Sequence, residues 1–441
     1  MPAGTSNIQA VLTWLRNVVT ARLNIHFNQA ENITIEPPAL YGDRSWFTTF
    51  IATHKPSFEE LVVFGLSLTP HILPHFFSKI IAEYLPEGGD FPEFGGVKGA
   101  NHRGLLPTGE TAQFIIAGND MEKRIEVQRM LGSDHWFAKE HILWLEPMRE
   151  GEPVMSGRLI MNPEIVELLT VGTVSKPRFS MDFPAEHIET EMDWDDLVLP
   201  DSTIRQIHEI ESWITHNDTL LHEWGMKKKI KPGYKALFYG PPGTGKTLTA
   251  TLLGKQTAKD VFRIDLSRVI SKYIGETEKN LSRLFDKAEN KEWILFFDEA
   301  DALFGKRTDI RDAHDKYANQ EVAYLLQRIE NYNGLVILAT NQRGNIDPAF
   351  ARRFQSIVSF PMPRMEERLA IWEKTVPTQL ELDKNLDLRT VAERYELSGA
   401  AILNVVHYCA IEMLANTSNV LDAELLDTAV QREYLKEGRI T

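Results

Sequence analysis

Cysteine is almost missing from this chain: one, Cys409, stands among 441 residues. No disulfide can form within the chain, and such sparing use points to a reducing, cytoplasmic setting. Cys409 falls in an apolar helical stretch and is expected in a core. No run approaches 18 consecutive apolar residues, so no membrane-spanning helix and no membrane partner are expected. Met1–Asn7 carries no basic segment leading into an apolar run and a cleavage site, so no secretory leader is expected. Internal repeats and low-complexity tracts are absent, which excludes solenoids and fibrous assemblies. Basic charge is also scarce, with 48 Lys and Arg against 62 Asp and Glu and a net charge of −14. The deficit is shared, since residues 1–190 hold 15 basic against 23 acidic side chains and the remainder 33 against 39. An acidic balance in both halves argues against a broad footprint on nucleic acid. Lys227, Lys228, Lys229 and Lys231 are a local exception, read as a solvated loop before a strand.

What is present is an ordinary globular composition, 43% hydrophobic and 25% charged, long enough for two or three domains. From Ile8 to about Phe27, the apolar residues Val11, Leu12, Leu15, Val18, Val19 and Leu23 follow a helical period. Glu59–Leu68 and His71–Leu85 read as two more helices broken at Pro70. A Gly- and Pro-rich stretch, Pro86–Gly109, reads as a long loop. Helices at Thr111–Ala117 and Met121–Leu131 precede two short strands, Ile142–Leu145 and Gly157–Met161, joined as a hairpin. The first region, 1–184, is therefore expected to be a mainly helical α+β domain, winged-helix-like, that recruits a substrate or partner. An acidic, patternless stretch at 185–200 reads as a linker.

Strand and helix signals then alternate. Strands are expected at Ala236–Tyr239, Val261–Asp265, Ile294–Asp298, Leu335–Thr340 and Ile357–Phe360, the signature of a parallel five-stranded sheet with helices on both faces. Helices alone, at Glu366–Lys374, Ala400–Ala415 and Ala423–Lys436, follow. The expected architecture is an α/β large domain over 201–362 and a small helical lid over 363–441.

Gly240, Pro241, Pro242, Gly243, Thr244, Gly245, Lys246 and Thr247 satisfy G-x-x-x-x-G-K-[ST] between an expected strand and an expected helix, with Leu248 next on that helix. The glycines let backbone N–H groups turn toward phosphates, and the helix N-terminus adds positive potential. Lys246 is the candidate for the β- and γ-phosphates of ATP, and Thr247 for Mg²⁺. The run Ile294-Leu-Phe-Phe-Asp298-Glu299 ends in two carboxylates at the edge where open α/β sheets bind ligands. Asp298 is the second candidate magnesium residue, and Glu299 the group that polarises an attacking water. The string Asp298-Glu-Ala-Asp301 invites a helicase reading, but no Ser-Ala-Thr motif or second motor domain follows. Asn341 closes the strand Leu335–Thr340, where a polar tip would sit beside the γ-phosphate.

With these pieces in order, residues from about Met192 to Leu435 resemble the AAA family of ring ATPases, within the wider AAA+ group of P-loop NTPases. The resemblance makes Asn341 the counterpart of the sensor-1 residue. It likens Asp347-Pro-Ala-Phe-Ala-Arg352-Arg353-Phe354 to the segment that supplies arginine fingers to a neighbouring subunit. The family usually separates its two arginines, whereas here they are adjacent, so both remain candidates. Ser271-Lys272-Tyr273-Ile274-Gly275 resembles the pore loop that grips polypeptide. Ser398-Gly399-Ala400 resembles the lid motif near the adenine and ribose, and Asp196-Leu197-Val198 the segment that packs on the adenine. No arginine lies around Ser398–Leu403, where DNA-handling branches carry their sensor-2 residue, which favours the protein-remodelling branch. Gly305–Ala318 looks like bacterial AAA proteins, including those found with contractile injection systems.

The resemblance implies a homo-oligomeric ring, a hexamer, that hydrolyses ATP with Mg²⁺ to unfold, thread or take apart a protein. Two alternatives stand beside it: a DNA-handling ATPase with a DNA-binding N-terminal domain, and an ATP-gated scaffold with little turnover.

Overall fold

The computed structural model describes residues 5–27, 35–38, 40, 42–43, 45–180, 183–231, 233–266, 276–289, 291–301, 323–341 and 351–439. The chain divides into two compact units, Met1–Ser175 and Lys176–Thr441.

In the first unit, helix α1 (Thr5–His26) buries Val11, Leu15, Val18, Val19 and Leu23, the stripe its period predicts. Helices α2 (Trp46–His54), α3 (Phe58–Ile72) and α4 (Phe76–Tyr84) follow. Every residue from Leu61 to Thr69 is buried, so α3 is the central helix, apolar all round and enclosed by its neighbours. The break expected at Pro70 is displaced, because α3 runs through Pro70 to Ile72. Proline removes only one helical hydrogen bond there, and the buried run beneath it holds the turn in place. The helix stops instead at Leu73, which precedes Pro74 and is pushed out of the helical region (φ −125°, ψ 81°).

The stretch expected as unbroken loop carries a short antiparallel pair, β1 (Val97–Lys98) with β2 (Leu105–Leu106). Helices α5 (Gly109–Ala117), α6 (Met121–Met130) and α7 (Trp136–Lys139) lead to β3 (Leu143–Leu145). This strand pairs antiparallel with β4 (Leu159–Met161), as the hairpin expectation requires, and α8 (Pro163–Thr170) closes the unit. Sequence periodicity missed α2 and α8 because each buries only two residues, too few for a period to show. Among the described residues no single helix is long and apolar enough to cross a membrane.

The second unit is built on a mixed sheet of six strands. They are β5 (Glu186–Ile188), β6 (Tyr234–Tyr239), β7 (Val261–Asp265), β8 (Ile294–Asp298), β9 (Leu335–Thr340) and β10 (Ser356–Ser359), in the order β10-β6-β9-β8-β7-β5. β6 to β10 are mutually parallel, as expected, while β5 runs antiparallel beside β7 and corrects the five-stranded expectation. The sixth strand comes from the stretch expected as a linker. Its acidic residues hide its anchors: Phe183 and Ala185 are fully buried, His187 Nε2 lies 3.2 Å from Asp260, and Phe183 meets Phe262 edge-on at 5.6 Å.

Side chains alternate along these strands and build a core on each face of the sheet. Leu237, Phe262, Leu295, Phe297, Val336 and Leu338 pack on one side against the helix Glu276–Ala288 and helical residues 323–331. Phe238, Ile294, Phe296, Ile337 and Phe360 pack on the other, against helices α9 (Asp201–Asp218) and α10 (Lys246–Thr257).

Beyond the sheet, the helices Met365–Thr375, Leu388–Arg394, Gly399–Ala415 and Ala423–Lys436 surround Trp372, Ile402, Val405 and Cys409. Strands do not stop altogether here, since Glu381–Leu382 pairs with Val420–Leu421. Cys409 is buried as expected, and burial pushes its thiol up to about 11.

Candidate nucleotide site

β6 lies between β9 and β10, with β8 next after β9, so the loops that leave the C-terminal ends of β6, β8 and β9 are neighbours. Gly240 leaves β6 at φ 152°, and a Cβ there would lie 1.9 Å from the carbonyl oxygen of Phe360. Only glycine fits so close to β10. Thr244 Oγ1 donates to the Pro241 carbonyl at 2.8 Å and holds the loop in its turn, and α10 begins at Lys246 with Gly245 as its cap.

The Lys246 ammonium donates to Gly240 O at 2.6 Å, to Pro241 O at 2.9 Å and to Asn341 Oδ1 at 3.1 Å. Burial lowers its pKa from the ordinary lysine value, while Asp298 and Asp301 act in the opposite direction. Asp298 ends β8 half-buried, and Glu299 follows, exposed and left-handed at φ 52°. That conformation is strained for a residue with a Cβ, at a cost of about 1 kcal/mol, and strain of this kind gathers at functional turns. Its backbone is held by the Glu299 N–H donating to Asp298 Oδ1 at 3.0 Å.

A cleft of about 510 Å³ takes in Pro242 to Leu248, Asp298, Glu299 and Asn341 on the sheet side. Its opposite wall comes from Leu197, Val198, Gly399 and Ala400, all named from the sequence. Gly240 and Pro241 do not line it but accept from Lys246 at its floor. Leu197 touches the loop directly, since a Cβ on Gly245 would lie 2.9 Å from Leu197 Cδ1. Ile371 and Leu403 add apolar lining that sequence reasoning missed. Both sit in amphipathic lid helices, where a wall residue reads like any other apolar position.

Asp301 was also missed as a contributor. It accepts from Thr340 Oγ1 at 2.5 Å and from the Asn341 N–H at 3.2 Å. Its place in the string after Glu299 was the available signal. The donors facing the cleft suit Mg²⁺: the Thr247 hydroxyl and the Asp298 carboxylate are hard oxygen ligands, few enough to leave positions for nucleotide phosphates.

Arg352 and Arg353 lie outside this cleft. Arg353 pairs with Glu330 of its own chain, whereas Arg352 is exposed and has no partner among the described residues. The loop expected to carry Lys272, Tyr273 and Ile274, and the stretch Gly305–Ala318, lie outside the described residues.

Residues 236–362 match the family described as "ATPase family associated with various cellular activities (AAA)". A proteasome-activating nucleotidase of Methanococcus maripaludis is 31% identical over 300 residues, covering 66% of this chain and 72% of the relative. The chain belongs to the AAA family of ATPases. The matched family is described as one of ATPases. Another proteasome-activating nucleotidase, from Methanocella arvoryzae, is 32% identical over 242 residues, 53% of this chain and 58% of that protein. A probable 26S proteasome regulatory subunit 6B of Caenorhabditis elegans is 31% identical over 217 residues, 47% of this chain and 52% of that protein. The AAA ATPase thus spans little more than half the length of these last two relatives.

Proposed function

We propose that this chain forms a ring, a hexamer, that hydrolyses ATP to unfold, thread or disassemble a protein client, in the cytoplasm. The observation that carries the reading is the make-up of the cleft. Lys246, Thr247, Asp298, Glu299 and Asn341 meet there, yet among the described residues no arginine lines it. A phosphoryl group in transfer carries charge over three oxygens, and one lysine answers only part of it. Arg352, exposed and unpaired among the described residues, is the group we assign to a neighbouring subunit's site. Arg353, tied to Glu330, holds the segment in place.

In this reading backbone N–H groups of Gly243 to Thr247 cradle the phosphates, and Lys246 turns from the loop carbonyls to the β- and γ-oxygens. Thr247 and Asp298 would hold Mg²⁺, which when bound neutralises phosphate charge. Glu299 polarises a water and takes its proton as the water oxygen bonds to the γ-phosphorus, and the bond to the bridging oxygen breaks to leave ADP and phosphate. Asn341 orients that water. Leu197, Val198, Gly399 and Ala400 hold the base and ribose. Lys272, Tyr273 and Ile274 grip the client in the pore, and the first unit, 1–175, recruits it, with β5 joining the ATPase core that extends through 201–362, and with the lid at 363–441. The relatives are named for the proteasome, and the client assigned to this chain is a polypeptide.

Mixing subunits tests the trans assignment. Lys246→Ala and Arg352→Ala proteins are each expected to be inactive alone and to regain hydrolysis when mixed, at interfaces that pair an intact cleft with an intact arginine. Mixed rings without recovery would overturn it. Stimulation of hydrolysis by DNA, and not by an unfolded protein, would overturn the protein client.

A further inference from the structure

Asp301 stands two residues past Glu299 and has no role in the chemistry proposed for ATP hydrolysis. Its carboxylate nevertheless makes two contacts across to β9, one oxygen accepting from the Thr340 hydroxyl and the other from the Asn341 backbone N–H. A third link runs parallel to them, the Ala300 N–H donating to Ala339 O at 2.8 Å. The turn after β8 and the tip of β9 are thereby fastened together at three consecutive residues, 339 to 341.

The consequence falls on the Asn341 side chain. Asn341 is exposed at a strand end, where a short polar side chain has several rotamers available. Fixing its backbone N–H and the residue before it sets the direction in which the amide leaves the chain. That amide reaches Lys246, with Oδ1 accepting from the ammonium at 3.1 Å.

We propose that Asp301 is a positioning residue for hydrolysis, which acts by clamping the β9 tip so that the Asn341 amide faces the phosphate site. The inference rests on the reading of Asn341 as a group that orients the reacting water. It adds a residue two positions beyond the paired carboxylates and ties the carboxylate turn to the asparagine as one rigid piece. A displacement of either at a change of nucleotide would then carry the other with it.

Steady-state kinetics in single and double variants tests this. Asp301→Asn keeps one acceptor and loses the other. It is expected to lower kcat about tenfold while KM for ATP stays within about twofold, the split expected when an arrangement needed in the transition state is lost and nucleotide binding is kept. Thr340→Val removes one donor to the carboxylate and leaves its charge in place, which separates the clamp from any direct effect of Asp301 on Lys246. It is expected to lower kcat in the same direction. In an Asn341→Ala background neither substitution should cost more than about twofold further, because residues that act through one another are not additive. Full additivity of Asp301→Asn with Asn341→Ala would overturn the proposal and leave Asp301 a structural residue. Should Asn341→Ala slow hydrolysis while Asp301→Asn and Thr340→Val do not, the clamp alone falls. Parental turnover in Asn341→Ala would remove the assignment of Asn341 and the clamp with it.

Discussion

The backbone N–H of Ala400 donates to the carbonyl of Gly243 at 3.1 Å, joining the first turn of a lid helix to the middle of the phosphate loop. Residues 157 positions apart are thus in main-chain contact at the candidate nucleotide site. A lid that moved would have to carry or release this loop, which would give lid motion a direct route to the proposed phosphate site.

Gly243 makes that contact possible. It sits at φ 74°, and a Cβ there would lie 2.7 Å from Ser398 Oγ and 2.8 Å from Ala400 Cβ. Gly243→Ala is therefore expected to push the lid from the loop and weaken ATP binding at least about tenfold, with left-handed strain of about 1 kcal/mol added. Titration with a fluorescent ATP analogue checks this, and unchanged affinity would show that the lid tolerates the displacement.

Glu299→Gln preserves size and backbone while removing the proposed base. Hydrolysis is expected to fall by about 10² or more, with ATP retained, since a positioned base contributes on that scale. Bound nucleotide recovered after gel filtration, set beside the turnover rate, measures both halves of the expectation. Parental turnover would take Glu299 out of the chemistry.

Lys235, buried in β6, donates to the Tyr332 carbonyl at 2.8 Å, and burial brings its ammonium down to about 8 from 10.5. Between those values the unfolded chain keeps a proton that the native chain has released, so native stability rises with pH across that window. Lys235→Met lacks this step. The wild type is expected to gain about 2 kcal/mol on the variant between about pH 8 and pH 10, as read from urea unfolding. Parallel pH profiles for the two proteins would contradict it.

Tyr273 carries the expectation of a pore grip from its sequence alone. Tyr273→Ala is expected to leave basal hydrolysis within about twofold and to cut client unfolding about tenfold or more, a loss confined to the coupled step. Equal losses in both assays would mark Tyr273 as a packing residue.

The five parallel strands were legible to within two residues at each end because each is a short apolar run closed by a turn, a signal carried by neighbouring residues. β5 was not legible: its three residues are held by Phe183, Ala185 and the His187–Asp260 contact, all set against an acidic background. The end of α3 was misplaced for a related reason, since the enclosure of Leu61–Thr69 outweighs the local effect of Pro70.

The residues that meet in the cleft could be picked out from their order in the chain. A phosphate loop needs glycines, a lysine and a hydroxyl at set spacing, and paired carboxylates at a strand end need only the strand before them. Local order alone is enough to specify such pieces. What tertiary structure decided was which pieces meet. Asp301 with Thr340 and Asn341, Gly243 with Ala400, and Arg353 with Glu330 are partners brought together by sheet order and by the fold of the lid. No local period or spacing records a contact across tens or hundreds of residues, because it arises only when separate apolar faces have found each other and closed the core.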